Sequence, residues 1–540
     1  MAPNQVSDPV PLVNSLDSIY SKAGVLKNGK RWDDLASKFA DAYDGLKPDF
    51  IARAPGRVNL IGEHIDYVGF SVFPAAVEKD ILMATKVTLA PAGGSSDSVE
   101  VVLKNTTTRF AETSFTSRYD SVDGVQLLNS GDSRWANYFK VAFKGLHSHL
   151  PSSVLDASNP SRPVRIQVLV DGTIPPESSL SSSAAMTTCS SIVILESFSA
   201  RSLIDRKEMA EVAIESERLV GVNSGGMDQS ASIFGIPDHA LYISFYPELS
   251  VEPTKLPQSD TEHTFVIVNT LVVSDKKVTG PVNYNLRVVE TRMAARALAK
   301  GLGLGSGNGC KDLRGVLETY FAENGGVGRL ELEIENSGAV KETLEKSGEE
   351  AARIKVLEEK VESLYHDDTL KAGLTRQQVE ELTGYSGEEF DKEFLSSFPI
   401  RADKFELYKR SKHVFTEALR VLQFRSLCNS PSPDVYRQLG SLMDDSQSSL
   451  RDLYNCSCDE LNTVIDIAKR NGSLGSRLTG AGWGGCTVHL VPKKKVEVFI
   501  SAMRTQYYAK RFEGKGLSED ELNDACFDTK PAGGACVYKV

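Results

Sequence analysis

Three short segments, hundreds of residues apart, limit most how this chain folds. The first is Ala52-Arg53-Ala54-Pro55-Gly56-Arg57-Val58-Asn59-Leu60-Ile61-Gly62-Glu63-His64-Ile65-Asp66, the second Leu180-Ser181-Ser182-Ser183-Ala184-Ala185, the third Leu478-Thr479-Gly480-Ala481-Gly482-Trp483-Gly484-Gly485-Cys486. The first lies on a strand–turn–strand stretch between Phe50 and Val77. The second follows a strand at Arg165 to Val170 and a loop at Asp171 to Ser179, where a helix begins among the serines. The third leads into a strand at Cys486 to Val491. Glycine in such turns permits positive φ and close approach of backbone to a ligand.

The chain has 540 residues, too many for one ordinary core, so two lobes are expected. Net charge is -11 at pH 7, with no long basic block, which argues against nucleic-acid and membrane partners. No apolar run approaches the roughly 20 residues needed to span a bilayer. The N-terminus, Met1 to Asn14, lacks the apolar core of a signal peptide, so a cytoplasmic location is expected. The eight cysteines are spread thinly and are read as reduced thiols. Cys456 and Cys458 have no matching Cys or His pair for a metal.

Residues 1–45 read as an extended arm followed by a helix around Trp32 to Phe39. Val99 to Leu103 and Phe265 to Asn269 read as strands. Ala185, Cys189, Ile192 and Leu195 fall on one helical face. A second helix, Asp205 to Val220, ends at Gly221, which suits a C-cap. Between about 295 and 400 the chain changes character. Glycines punctuate it, and the charged helix Glu349 to Leu364 carries Ile354, Leu357, Val361 and Leu364 on one face. Gly301 to Gly305 follows a helical pattern and reads as a linker, not a dinucleotide loop.

A strand, a loop and a helix N-terminus together supply backbone N–H donors and a dipole that suit phosphate. The serines add hydroxyls for phosphate oxygens or a Mg²⁺ shell. No Gly-Lys-Ser/Thr closes the loop, so it is not a Walker A motif. Taken alone, the stretch fits a serine-capped helix equally well. Likewise, Glu63, His64 and Asp66 alone fit a metal cluster or a solvated turn, and Trp135 and Tyr138, at i and i+3, fit core positions.

In order, the three segments resemble the three signatures of the GHMP sugar and mevalonate kinases, and the first has the galactokinase form Gly-Arg-x-Asn-Leu-Ile-Gly-Glu-His-x-Asp. Further stretches, among them Asn283-Tyr284-Asn285 and Leu453-Tyr454-Asn455-Cys456-Ser457-Cys458, resemble the fungal galactokinase branch. The resemblance implies an α/β (α+β) fold of two lobes with the active site in the cleft between them, the N-lobe similar to ribosomal S5. It divides the chain into an arm and helix (1–45), an N-terminal lobe (46–255) and a C-terminal lobe (256–540) with a helical elaboration at about 295–400. The implied reaction is ATP-dependent phosphorylation of the anomeric hydroxyl of galactose, the first committed step of galactose catabolism, by a monomer.

Residue by residue, the resemblance makes Asp228 the base and Arg57 its catalytic partner; a guanidinium there keeps the carboxylate ionised. Arg57, Glu63, His64, Asp66, Gly225, Asp228 and Tyr284 match the sugar set. Ser179, Leu180, Ser181, Ser182, Ser183 and Ala184 match the phosphate loop, and Trp135 and Tyr138 the adenine side. Ser183, or Ser182, and Glu217 match the Mg²⁺ ligands; by themselves Glu215 and Glu217 equally fit solvated helix charges. The third segment closes the site. The chain departs from the family at two loop glycines, where Glu177 and Ser179 stand. A serine forced to positive φ costs about 1 kcal/mol or more.

Two other readings share these motifs. One is a galactose- and ATP-binding sensor that engages a transcriptional repressor; the family's inactive sensor lacks a Ser-Ala pair in the serine loop, whereas Ser181 to Ala185 is complete here. The other is an N-acetylgalactosamine kinase.

Overall fold

A computed structural model describes all residues except 1–4, 92–95, 157–158, 177, 221–224, 274–278, 306–307, 324, 326 and 398. Glu177 and the expected C-cap Gly221 therefore lie outside the described residues.

The strands, in chain order, are β1 (Leu12–Val13), β2 (Phe50–Asn59), β3 (Pro74–Leu89), β4 (Ser98–Asn105), β5 (Thr113–Arg118), β6 (Pro163–Gly172), β7 (His239–Ser244), β8 (Ser250–Lys255), β9 (His263–Asn269), β10 (Gly475–Thr479), β11 (Cys486–Pro492), β12 (Cys526–Thr529) and β13 (Cys536–Lys539). They form a seven-stranded sheet in the order β1-β13-β2-β3-β6-β4-β5, a four-stranded sheet β10-β11-β9-β12 and the pair β7-β8. The helices that matter to the site are α1 (Lys22–Ala42), α2 (Asn137–His147), α3 (Ser182–Ser197), α4 (Arg206–Arg218), α5 (Met227–Phe234), α6 (Tyr284–Gly301), α7 (Gly338–Leu364), α8 (Leu407–Asn429) and α9 (Val435–Asp452).

Every residue of β2 is buried, because both sheet faces are covered. On one face α1 lays Trp32, Leu35 and Phe39 against Ile51, Leu82 and Ala84. The other face belongs to the main core, with Ala52, Ala54, Ile192 and Leu195. This burial forces charged residues of β2 to find partners. Arg53, fully buried, gives its Nε to Asp80 at 2.5 Å and its NH1 to the Gly533 carbonyl at 2.6 Å. Arg31 from α1 reaches the same Asp80 at 2.5 Å, and the Tyr20 hydroxyl donates to it. Burial would raise the Asp80 carboxyl, but the two guanidiniums hold it below its ordinary value.

The arm helix starts ten residues before the expected one, at Lys22, capped by Ser21. Its first half is polar and carries no clear stripe; the ion pair of Arg31 fixes it instead. The 349–364 helix is the second part of α7, which breaks at Gly348 (φ +85°). Ile354, Leu357 and Val361 are buried as their spacing requires. The C-terminal segment returns to the first sheet, where β13 pairs with β2 and β1. A four-residue strand carries no sequence mark of its partner.

Candidate active site

The β2–β3 register shifts between Pro55 and Arg57; Gly56 falls out of the ladder and pairing resumes at Arg57, opposite Ala76. Arg57 is 4% and Asp228 23% exposed, so the pair opens to solvent on the carboxylate side. Arg57 donates from Nε to Asp228 at 2.8 Å and from NH1 to the Ser179 carbonyl at 2.7 Å. Its backbone N–H donates to the Leu180 carbonyl at 3.2 Å. One side chain thus joins the first segment, the serine loop and α5. Asp228 lies in the first turn of α5, and one turn later Ser232 donates to the Pro55 carbonyl at 2.7 Å, pinning that helix to β2. Gly225 lies so close to the first segment that a Cβ would fall 2.4 Å from the Tyr67 amide nitrogen.

The serine loop is held in an uncommon backbone. Ser179 has φ +64° and Ser181 φ +60°, so the conformation served by glycine in the family pattern is kept by serine here. The third segment makes room for it: a Cβ on Gly485 would fall 2.1 Å from the Ser179 hydroxyl, and one on Gly480 2.6 Å from the Ser179 Cβ. The loop feeds α3, whose N-cap Ser181 makes no capping bond. The Ser181 hydroxyl is buried without a hydrogen-bond partner among the described residues. Leu180 and Ala184 are buried; Ser182 and Ser183 are half-exposed in the first turn. An uncapped helix start with an unspent hydroxyl fits a phosphate group. On α4, Glu217 is buried and Glu215 exposed, so Glu217 is the inward carboxylate. With Ser183 it offers the hard oxygen donors that Mg²⁺ takes. Trp135, just before α2, and Tyr138, in its first turn, are half-buried; the Trp135 indole N–H is spent on the Ala111 carbonyl at 3.0 Å.

The remaining residues form a second wall. The Glu63 carboxylate is buried and accepts from Arg477 at 3.0 Å and from the Gly480 N–H at 3.0 Å. Burial pushes it up to about 7 against the pull of Arg477. Asp66 is half-exposed and accepts from the Gly225 N–H at 3.2 Å; burial and then the Asp228 charge raise it to about 6. Tyr284, half-exposed at the start of α6, lies where the charges of Asp66 and Asp228 reach it. His64 is buried in the same wall. Both its ring nitrogens are engaged within the protein, by the Ala481 carbonyl at 2.9 Å and the Tyr67 hydroxyl at 3.2 Å.

Sequence reasoning missed the groups that hold this wall. From α8, His413 contacts the Glu63 carbonyl at 3.0 Å and Glu417 accepts the Gly62 N–H at 2.9 Å. Tyr67, Tyr454 and Trp483 surround the His64 ring. Adjacency to the first and third segments marked Tyr67, Trp483 and Arg477; nothing local marked His413 or Glu417. The eight cysteines are all free. Among the described residues no three His, Cys, Asp or Glu cluster as a metal site, and no helix is long and apolar enough to cross a membrane.

Family models match three stretches that coincide with this site. The galactokinase galactose-binding signature covers residues 37–87, the GHMP kinases N terminal domain 137–236 and the GHMP kinases C terminal domain 433–509. The galactokinase of Saccharomyces cerevisiae is 38% identical over 522 residues, 94% of each chain. The chain belongs to the galactokinase family. That of Dictyostelium discoideum is 34% identical over 97% of each chain. Among solved structures, Lactococcus lactis galactokinase complexed with galactose shares the fold, with a TM-score of 0.62 at 23% identity, covering 93% of this chain and 99% of that one. The two-lobed α/β GHMP fold is thereby established for this galactokinase-family chain. The first matched stretch holds Arg57 to Tyr67, the second the serine loop and Asp228, and the third Tyr454 and the closing glycines. Tyr284, Trp135 and the 295–400 elaboration fall outside all three.

Proposed function

We propose that this protein transfers the terminal phosphoryl group of ATP to the anomeric hydroxyl of galactose, giving galactose 1-phosphate and ADP. The observation that carries the reading is Arg57, which binds the Asp228 carboxylate with one nitrogen and the phosphate-loop carbonyl of Ser179 with another. Phosphoryl transfer depends mainly on positioning and charge neutralisation, and this guanidinium ties acceptor and donor sides together. Asp228, oriented by Arg57, takes the proton of the attacking hydroxyl. Asp66, Glu63, Tyr284 and the Gly225 backbone select the sugar, because a hydroxyl of the wrong epimer leaves one of them unpaired. The start of α3, with Ser179 to Ala184, takes the phosphates, and Trp135 and Tyr138 flank the base.

Mg²⁺ supplies charge neutralisation on the phosphates when bound. Ser183 and Glu217 would hold it. The eight free thiols suit the cytoplasm. The phosphate loop and base belong to the 46–255 lobe, and the closing glycines to the 256–540 lobe.

An ADP-release assay with Mg-ATP and galactose, with N-acetylgalactosamine and glucose in parallel, tests the reading. Galactose-dependent turnover of about 1 per second or more is expected. A folded protein that galactose stabilises thermally, without turnover, would instead be a sensor. The complete serine loop and the formed Arg57–Asp228 pair favour the enzyme.

A further inference from the structure

The segment that leads from β5 to α2 is held by polar side chains that the phosphoryl transfer itself does not use. Residues 128–137 form a loop closed at its base by Asn137, which is buried. The Leu128 N–H donates to Asn137 Oδ1 at 2.9 Å, and Asn137 Nδ2 donates to the Leu128 carbonyl at 2.8 Å. One side-chain amide thus meets both polar groups of one residue, as a paired strand would.

Trp135 lies inside this loop. Ala111, just before β5, ties down its far side. The Ala111 N–H donates to the Asp132 carbonyl at 3.2 Å, and the Ala111 carbonyl takes the Trp135 indole N–H. The Phe110 ring stands 6.1 Å from that of Trp135, centroid to centroid. The place of Trp135 therefore depends on the segments at both ends of β5, the outermost strand of its sheet.

Lys140 and Lys144 follow Asn137 on the same face of α2, at i+3 and i+7. Lys140 is 4% exposed, and its Nζ donates to the Gln126 carbonyl at 3.0 Å. Lys144 reaches the Val122 and Val125 carbonyls at 3.4 and 3.3 Å. Burial lowers the Lys140 pKa, and among the described residues no carboxylate offsets this. A buried ammonium without a counter-charge is costly. An apolar side chain would pack there without that penalty but could not hold the carbonyl. One helix face thus fixes the 122–128 segment, and with it the start of the loop that presents Trp135.

We propose that Asn137 and Lys140 are positioning residues for the nucleotide: they clamp residues 122–137 onto α2 and so hold Trp135 at the adenine side. The inference rests on the reading that Trp135 and Tyr138 flank the base.

Calorimetric titration of ADP with Mg²⁺, and separately of galactose, into the purified full-length protein tests it. Asn137→Ala and Lys140→Met are expected to weaken ADP binding by roughly two- to twelvefold each, the worth of one hydrogen bond, and to leave galactose binding unchanged. Trp135→Ala weakens ADP binding as well. Added to Trp135→Ala, Asn137→Ala should then cost ADP nothing more, because it acts through the indole. Unchanged ADP binding in both single variants overturns the proposal. So does an equal loss for ADP and galactose, which a general loosening would give, and so does full additivity with Trp135→Ala. Should Asn137→Ala not fold, Lys140→Met carries the same test, since it keeps the length of the side chain and loses only the donor. Normal ADP binding in Trp135→Ala would sink the reading of the base side and the proposal together. Binding needs no turnover, so a protein that did not phosphorylate galactose would leave the clamp standing.

Discussion

At the scale of single residues, the site is a set of groups whose geometry exceeds what any one motif requires. Asp228→Ala removes the proposed base while leaving α5 anchored through Ser232. Turnover should drop by about 10²–10⁴-fold, the usual worth of a general base, with the thermal midpoint little changed; near-normal kcat would refute the role. Ser179 makes a sharper case. The clash that a Cβ on Gly485 would meet is with the Ser179 hydroxyl, the free end of a side chain. Gly485→Ala should destabilise the protein, and Ser179→Gly should restore part of the loss. A coupling of about 0.5–3 kcal/mol is expected from a double-mutant cycle in denaturant, and strict additivity would show that the two loops do not interlock. Ser179 was recognisable in the sequence as standing at a glycine position. The sequence did not show that the compensation lay some three hundred residues away, in glycines read only as a closing loop.

Among the elements, periodicity revealed those with an apolar stripe and hid those fixed by charge. The face of Ile354, Leu357 and Val361 located its helix, and alternation at 165–170 located β6. The first half of α1 was invisible because its anchor is Arg31, paired with an aspartate on β3 and another on β6. Asp80 is the hub, bonded by Arg31, Arg53 and Tyr20 together. Asp80→Asn would leave two buried guanidiniums without their shared counter-charge. A loss of about 3–5 kcal/mol is expected in denaturant titrations, since breaking a buried pair strands the remaining charge. A loss below about 1 kcal/mol would mean that the backbone carbonyls around Arg53 suffice. The wall behind the sugar segment was illegible for a related reason: His413 and Glu417 lie on a long helix whose pattern reports packing, while their partners are backbone groups of a distant loop.

For the whole molecule, buried ionisable groups set the response to pH. Burial lowers His64 to about 3, His413 to about 4 and His489 to about 3. Each binds a proton in the unfolded chain near its ordinary value of about 6.5 and resists it when folded. Stability should therefore be full above about pH 7 and fall as the pH drops below 6.5, by up to about 1.4 kcal/mol per pH unit for each histidine. Glu63 and Asp66, raised to about 7 and about 6, act in the opposite direction, since the folded state holds their protons more tightly. Three groups against two leave a net loss on acidification. Urea midpoints at pH 7.5 and 5.5 would measure it, and an unchanged or higher midpoint at 5.5 would contradict the assignment of buried neutral histidines.

The return of the last strand to the first sheet has a consequence for how the protein is made. Gly533, whose carbonyl caps Arg53, is 480 residues further along the chain. The same closing segment bonds the end of α5, through the Ala535 N–H to Ser232 and the Gly534 N–H to Gly235. At about 5–20 residues per second, a ribosome needs roughly 24–96 s to cover that distance. Throughout that interval the nascent β2 has an unpaired edge, open to pairing with another chain. The helix that carries Asp228 gains these supports only once Gly534 and Ala535 have been made.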